Sequence, residues 1–264
     1  MTVQEEEAGR VSDRHEILGL TLDVMAPATV IDRFMELVRQ GARGYCCVAN
    51  VHQCVLVHDN PAFRERVNAA SMVVTDSTIL QLAVSGRTGV RLPPPLRGAE
   101  LMLELCRCAE RDSVPIALIG GRDEAALDAL CDRLARDYPG LDIAYRWSPP
   151  FRELTDREAR SMRDAIRRTG ARAVSIGIGC PKQEIWMSNL TNELDAMLIG
   201  VGAAFDQNAG IVRGSPPWVH RSGLEWLYRL LAEPSRLWRR YLTTSPRFIW
   251  LLAIDALVGK RLNA

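Results

Sequence analysis

The chain has 264 residues, 47% of them hydrophobic and 25% charged, which suits one α/β domain with an appendage or two small domains and leaves enough apolar material for a sizeable core. A formal net charge of +1 excludes an overall field that would attract nucleic acid or an anionic membrane, so any such attraction must come from a local cluster. Seven cysteines, an odd number scattered through apolar runs without a C-x-x-C pair, exclude a disulfide framework and read as buried thiols of a reducing cytoplasm.

In chain order, residues 1–14 come first: they are polar, carry Glu5, Glu6 and Glu7, and lack the basic start and apolar stretch of a signal peptide. They are expected to form a disordered tail. Short runs rich in Val, Ile and Ala follow at 17–24, 45–51, 72–75, 116–119, 142–147, 173–178 and 196–201. Most are apolar on consecutive positions, as strands buried on both faces must be. Between them, residues 27–40 place Val30, Ile31, Phe34, Leu37 and Val38 at helical spacing, and the helix-like stretches 123–138 and 155–169 each open on a capping Asp or Thr. The alternation predicts a Rossmann-like, mostly parallel sheet with helices on both faces over residues 15–212.

After about Arg213 the strand-like runs stop and arginine and aromatic residues dominate. Pro216 and Pro217 mark a boundary, and Pro234 and Pro246 are expected to break the remainder into short helices. Residues 213–264 therefore read as a helical appendage. The nearest approach to a membrane span, 248–258, is shorter than the roughly 20 residues a bilayer requires and contains Asp255.

In doubly wound sheets ligands bind beyond the carboxyl ends of the strands. Five loops there are unusual: 49–52, 75–77, 120–123, 177–184 and 200–206. In the fourth, Gly177 and Gly179 let a ligand approach the backbone, and Pro181 is suited to the first position of a helix. The N–H groups of a helix start favour an anion such as a diphosphate. Lys182, Gln183 and Glu184 add a polar first turn, which favours a binding site over a plain turn. In the last loop Asp206 can accept from a base N–H or a sugar hydroxyl, or cap a helix. Asp76 can act as a general base toward an acceptor hydroxyl, or cap the helix that contains Leu80 and Leu82. No H-E-x-x-H, Asp-x-Asp, G-x-S-x-G or G-x-x-x-x-G-K-[ST] occurs, and Gly177-Ile178-Gly179 lacks the third glycine of a dinucleotide fingerprint. Neither a metal site nor a cofactor is expected.

These loops, in this order, resemble the WecG/TagA/CpsF family of glycosyltransferases, also called glycosyltransferase family 26. The resemblance covers about residues 17–252. It rests on Gly177-Ile-Gly-Cys-Pro-Lys-Gln-Glu184 with Trp186, on Gly200-Val-Gly-Ala-Ala-Phe-Asp206 with Gly210, and on Pro216-Pro-Trp218 followed by Gly223-Leu-Glu-Trp-Leu-Tyr-Arg-Leu230 and Glu233-Pro-Ser-Arg236. Arg97-Gly98-Ala-Glu-Leu101 and Leu118-Ile-Gly-Gly121 add to it.

The resemblance implies inverting transfer of a sugar, typically N-acetylmannosamine or its uronic acid, from a UDP donor to an undecaprenyl-diphosphate-linked sugar. It implies that Asp76 is the catalytic base, that Asn50, Gln183 and Asp206 serve the donor, and that the appendage meets an anionic membrane at its cytoplasmic face and closes the site. Gly179 and Lys182 belong to the same donor loop. Arg213, Arg221, Arg229, Arg236 and Arg240 are candidates for either the donor diphosphate or lipid headgroups. The chain departs from the family at Val48, where Thr is frequent, at Ser77, where Gly is frequent, and in the loop 145–151, and these departures leave the donor sugar open. A homo-oligomer is allowed and nucleic acid is not an expected partner. Two other classes remain as alternatives: a nucleotide-cofactor oxidoreductase on a similar sheet, and an Arg/aromatic nucleic-acid-binding module.

Overall fold

The structure is a computed structural model that describes residues 13–89, 92, 93, 95, 97–216, 219, 224–232 and 234–262. Residues 1–12 of the expected tail lie outside the described residues. The run 17–24 is the turn and second strand of an antiparallel hairpin rather than one strand: β1 (Asp13–Ile17) pairs with β2 (Leu20–Val24). Leu18 and Gly19 between them have φ of 52° and 83°, the two positive values that a tight hairpin turn of matching twist needs. Asp13 and Arg14, expected in the tail, thus belong to a strand.

The main sheet has six parallel strands: β3 (Gly44–Ala49), β4 (Met72–Thr75), β5 (Ile116–Gly120), β6 (Ile143–Trp147), β7 (Ala173–Gly177) and β8 (Met197–Gly200). Their order is β4-β3-β8-β7-β5-β6. Side chains alternate between two cores, as the pleat requires. Tyr45, Cys47 and Ala49 face one layer, and Cys46 and Val48 face the other. Likewise Ala117 and Ile119 oppose Ile116 and Leu118. One layer is completed by α1 (Pro27–Arg39), α5 (Gly98–Arg111) and α6 (Glu124–Asp137), through residues such as Phe34, Leu101, Leu105, Leu127 and Leu130. The other is completed by α2 (Val51–Asp59), α3 (Pro61–Asn68), α4 (Thr78–Thr88), α7 (Asp156–Thr169) and α8 (Lys182–Leu190). Full burial of each such aliphatic or aromatic side chain stabilises the fold by about 1.5–3 kcal/mol.

The sheet's two edges are treated differently. On the open side of β4, the Val73 N–H donates to Asp23 Oδ2 at 2.7 Å, and Arg14 Nε donates to Asp23 Oδ1 at 2.8 Å. The hairpin therefore docks through one buried, paired carboxylate. On the opposite edge β6 is only half-buried, and Arg146 pairs with Asp128 at 2.7 Å.

The carboxyl end continues into α9 (Ala204–Asn208), then α10 (Glu225–Ala232) and α11 (Pro234–Leu262). Pro246 does not break α11, which runs for 29 residues through it. Contacts on both sides of the proline over-determine the helix. Thr244 is buried, Phe248 and Leu251 enter the core beneath, and Arg247 donates to both Asp59 oxygens at 2.9 and 2.6 Å. That pairing holds the Asp59 carboxyl below the usual carboxylate range. Arg87 also pairs with Asp255. A proline that costs a helix about 3 kcal/mol in isolation is tolerated when such tertiary contacts outweigh it.

None of the seven cysteines is in a disulfide, and six are buried, whereas Cys180 is half-exposed. Burial pushes the Cys54 and Cys106 thiols up to about 12 and raises Cys46 and Cys47 as well. Thiolates are the reactive form. A thiol-specific reagent at neutral pH is therefore expected to label Cys180 alone in the native protein, and all seven positions after denaturation. Rapid labelling of two or more thiols in the folded state would contradict this burial.

Candidate active site

The carboxyl ends of the central strands meet in an unusually close approach. A Cβ on Gly177 would lie 2.2 Å from Phe205 Cδ2, and one on Gly120 would lie 2.8 Å from the Gly177 carbonyl oxygen. Only glycine permits this packing, which lowers the loops after β5, β7 and β8 into the floor of a cleft of about 690 Å³. Gly179, Lys182, Arg122, Asp206, Trp186 and Phe151 are among its lining residues.

Lys182 opens α8, with Pro181 in the capping position after a cis Cys180–Pro181 peptide. Pro181 therefore sits one position before the helical site expected for it. The lysine stands at a helix start, where its charge adds to the positive end of the helix dipole, a combination that favours a polyanion. Asp206 is not a helix cap, because Ala203 holds that position before α9. It is 9% exposed, and its Oδ1 accepts from the Arg122 N–H at 3.2 Å while Oδ2 accepts from Arg122 Nε and Nη2 at 3.3 and 3.2 Å. A carboxylate offers about four acceptor positions, so this pairing leaves room for one further donor.

Gln183 does not line the cleft, contrary to its expected contact with the donor. It is 4% exposed, accepts from the Gly202 N–H at 3.2 Å and donates to Glu184 Oε1 at 2.9 Å. Its amide occupies the space that a side chain at Gly200 would fill. Gln183 thus holds the loop after β8 against α8 and supports the floor from below.

A second depression, of about 200 Å³, lies beyond the ends of β3 and β4. Asn50, His52 and Asp76 line it from the sheet, and Trp226, Arg229, Tyr241, Thr244 and Phe248 line it from the appendage. Asn50 caps α2, its Oδ1 accepting from the Gln53 N–H at 3.2 Å. For Asp76 the structure bears on the capping reading of the sequence. Ser77 caps α4, accepting from the Leu80 N–H at 3.3 Å. Thr75 Oγ1 donates to the Ala49 carbonyl at 2.8 Å and accepts from the Ser77 N–H at 3.0 Å, which fixes the turn. Asp76 is left half-buried and lining the pocket rather than capping the helix.

Of the tail arginines, Arg229 lines the Asp76 pocket. Arg213 is exposed and is not among the lining residues of either depression. Arg221 and the side chains of Arg236 and Arg240 lie outside the described residues. Arg229, Arg236 and Arg240 do not share one helix, because α10 ends at Ala232 and α11 begins at Pro234.

Arg122, Phe151 and His52 are among the lining residues to which the sequence assigned no role, the last with Nδ1 3.2 Å from Thr244 Oγ1. For Arg122 there was a signal, two glycines followed by a cation at a strand end. The other two depend on segments far apart in the chain.

A parallel sheet with glycine-bearing loops over a cleft at its carboxyl edge defines a Rossmann-like α/β protein of the ligand-binding kind. The family model described as the glycosyl transferase WecG/TagA/CpsF family matches residues 15–262, so the chain belongs to that family. It is a glycosyltransferase of cell-surface polysaccharide synthesis, from a family that uses nucleotide-sugar donors and lipid-linked acceptors.

Gln183→Ala is expected to lower the melting temperature by several degrees, because it strips partners from the Gly202 N–H and from buried Glu184, at a cost of about 1–3 kcal/mol. Arg122→Ala leaves Asp206 exposed to solvent on one side and is expected to weaken nucleoside-diphosphate binding with a smaller thermal effect. Thermal melts and calorimetry read both, and a Gln183→Ala protein that melts like the wild type removes the supporting role.

Proposed function

We propose that the protein is an inverting, metal-independent glycosyltransferase. In this reading it moves an N-acetylmannosamine-type or related hexose from a UDP-sugar to an undecaprenyl-diphosphate-linked sugar, at the inner face of the cytoplasmic membrane. The observation that carries the reading is the position of Asp76: relieved of capping by Ser77, it faces a pocket beside the glycine-floored cleft.

The chemistry follows from that division. The donor lies in the larger cleft with its diphosphate near Gly179 and Lys182. The acceptor hydroxyl enters from the Asp76 pocket. Asp76 takes the hydroxyl proton as the oxygen attacks the anomeric carbon from the face opposite UDP. The bond from the anomeric carbon to the diphosphate oxygen breaks, and UDP leaves with the bonding pair. Backbone N–H groups and Lys182 stabilise the charge that grows on it, in the role a metal ion would otherwise take. Arg229, in the acceptor pocket, suits the acceptor's own diphosphate.

Membrane contact is supported by the appendage surface. Leu231, Trp238, Leu242, Ile249 and Trp250 are exposed on α10 and α11, with cations interspersed. Among the described residues no helix is long and apolar enough to cross a membrane, so the contact would be with the surface. Each arginine near an anionic leaflet contributes about 1 kcal/mol.

The test of the reaction is UDP release from a panel of UDP-sugars, with a polyprenyl-diphosphate-GlcNAc analogue as acceptor and EDTA present. Wild type is expected to turn over one donor in an acceptor-dependent way. Asp76→Asn is expected to melt like wild type and lose two to four decades of rate. Ser77→Ala is expected to show the reverse pattern, losing about 1 kcal/mol of stability while retaining most of the rate. Turnover by Asp76→Asn at the wild-type rate, or none by wild type until a divalent cation is added, counts against the corresponding part of the mechanism. The membrane contact is tested by flotation with anionic liposomes. Binding is expected to fall as salt rises, because screening weakens surface charge attraction, and to fall further in a Trp238→Ala/Leu242→Ala protein. Binding unaffected by both changes would remove the appendage from the membrane.

A further inference from the structure

Phe151 has the highest exposure among the large hydrophobic residues of the described chain, at 81%. Yet it lines the cleft formed by the glycine loops, whose lining also includes Arg122, Lys182 and Trp186. An apolar ring held in water beside a ligand cleft, rather than folded back onto the protein, calls for a physical reason.

The backbone on both sides supplies the first part. Pro149 and Pro150 precede the ring and fix two successive φ angles, so the chain cannot collapse locally. Immediately after it, Arg152 pairs with Glu158 through two hydrogen bonds of 2.8 and 2.6 Å. Glu158 also accepts from the Thr155 N–H and Oγ1, each at 2.9 Å, which closes the capping box of α7. This pairing, led by the Arg152 contact, holds the Glu158 carboxyl down at about 2. The loop is thus tied to a helix start on one side and stiffened by prolines on the other, and the ring is held out by its backbone.

The composition of the cleft supplies the second part. Its floor has the helix start and Lys182, suited to phosphate groups. Ile178, Ile185 and Trp186 form an apolar stretch of wall. Asp206, with one acceptor position left by Arg122, offers a hydrogen bond to a hydroxyl or ring N–H. The polyanion site alone would take any diphosphate. A free aromatic ring beside an apolar wall adds a place for a flat, polar-edged ring, which stacks by offset or edge contact.

We propose that Phe151 is the residue that stacks on the nucleobase of the donor. It makes the cleft selective for nucleoside diphosphates over inorganic diphosphate and simple sugar phosphates. The inference rests on the reading of this cleft as the donor site and adds a specificity-determining residue to it. The aromatic ring, rather than the loop's shape, carries the effect, so tyrosine or tryptophan at this position should serve.

The test uses the full chain and calorimetry with UDP and with inorganic diphosphate. Phe151→Ala is expected to raise the Kd for UDP by about tenfold to a hundredfold, as the loss of an aromatic–base stack does elsewhere. It should leave the Kd for inorganic diphosphate within about twofold. Phe151→Trp is expected to restore UDP affinity. Because the side chain is so exposed, all variants should melt with the wild type, and the melt is the control. Equal UDP affinity in wild type and Phe151→Ala overturns the assignment. An equal loss for UDP and inorganic diphosphate also overturns it, since the loop would then act through shape. Absence of UDP binding by wild type itself would instead sink the donor-site reading beneath it.

Discussion

The site depends on how near two strand ends can come without side chains between them. Phe205 fills the space above Gly177, and the Gly177 backbone fills the space beside Gly120. Any Cβ at either position would force β5, β7 and the loop after β8 apart by more than packed interiors tolerate. Because they stay together, Arg122 at the end of β5 reaches Asp206 beyond the end of β8, 84 residues later. Gln183 adds a hydrogen bond under the same floor. The cleft's shape therefore comes from close-packed backbone, which gives the polar groups fixed positions before any ligand arrives.

Two depressions with different chemistry share the carboxyl edge of the sheet. One is floored by backbone and glycine, with a cation and a paired carboxylate. The other is walled by aromatic residues from the appendage, with Asp76 and Arg229 facing it. The appendage borders both, since Ala232, Pro234 and Ser235 line the first and Tyr241, Thr244 and Ser245 line the second. Its anchoring is polar as well as apolar. The contacts of His52 with Thr244 and of Asp59 with Arg247 fasten α11 to α2, the helix that Asn50 caps. A displacement of the appendage would accordingly be felt first at the pocket that Asp76 lines.

Much of the sheet was legible because its strands are buried on both faces, and burial on both faces writes itself as uninterrupted apolar runs. The hairpin was not, since Leu18-Gly19 interrupts neither hydrophobicity nor length; only its positive φ values mark the turn. The helix starts at Asp123 and Thr155 were readable from capping chemistry, and both side chains accept the expected N–H. Asp76-Ser77 shows the limit of that chemistry. Two capping residues stand in sequence, and which one caps is decided by the turn that Thr75 fixes, a local contact with no signature in composition. Pro246 misled for a related reason: local propensity argued for a break, and the pairing of Arg247 with a residue 188 positions earlier outweighed it. Gln183 stood in a polar triplet that pointed to a binding role, and burial turned it inward. Lys182, Gly179 and Asp206 do line the cleft that their loops suggested, because strand-end geometry alone puts them there.

The buried carboxylate of Asp23 has a consequence beyond docking the hairpin. A sheet's outer strand presents unpaired amides to any passing extended chain, and such edges are where proteins join into aggregates. Here the Val73 amide on the outer side of β4 is already occupied by Asp23 Oδ2, and an intruding strand would have to displace a charged, paired acceptor from a nearly dry position. At the far edge, β6 carries an exposed arginine and a register shift against β5 between Ile116 and Ala117. Both ends of the sheet are thereby poor templates for strand addition, a safeguard for a protein that displays leucine and tryptophan on its surface.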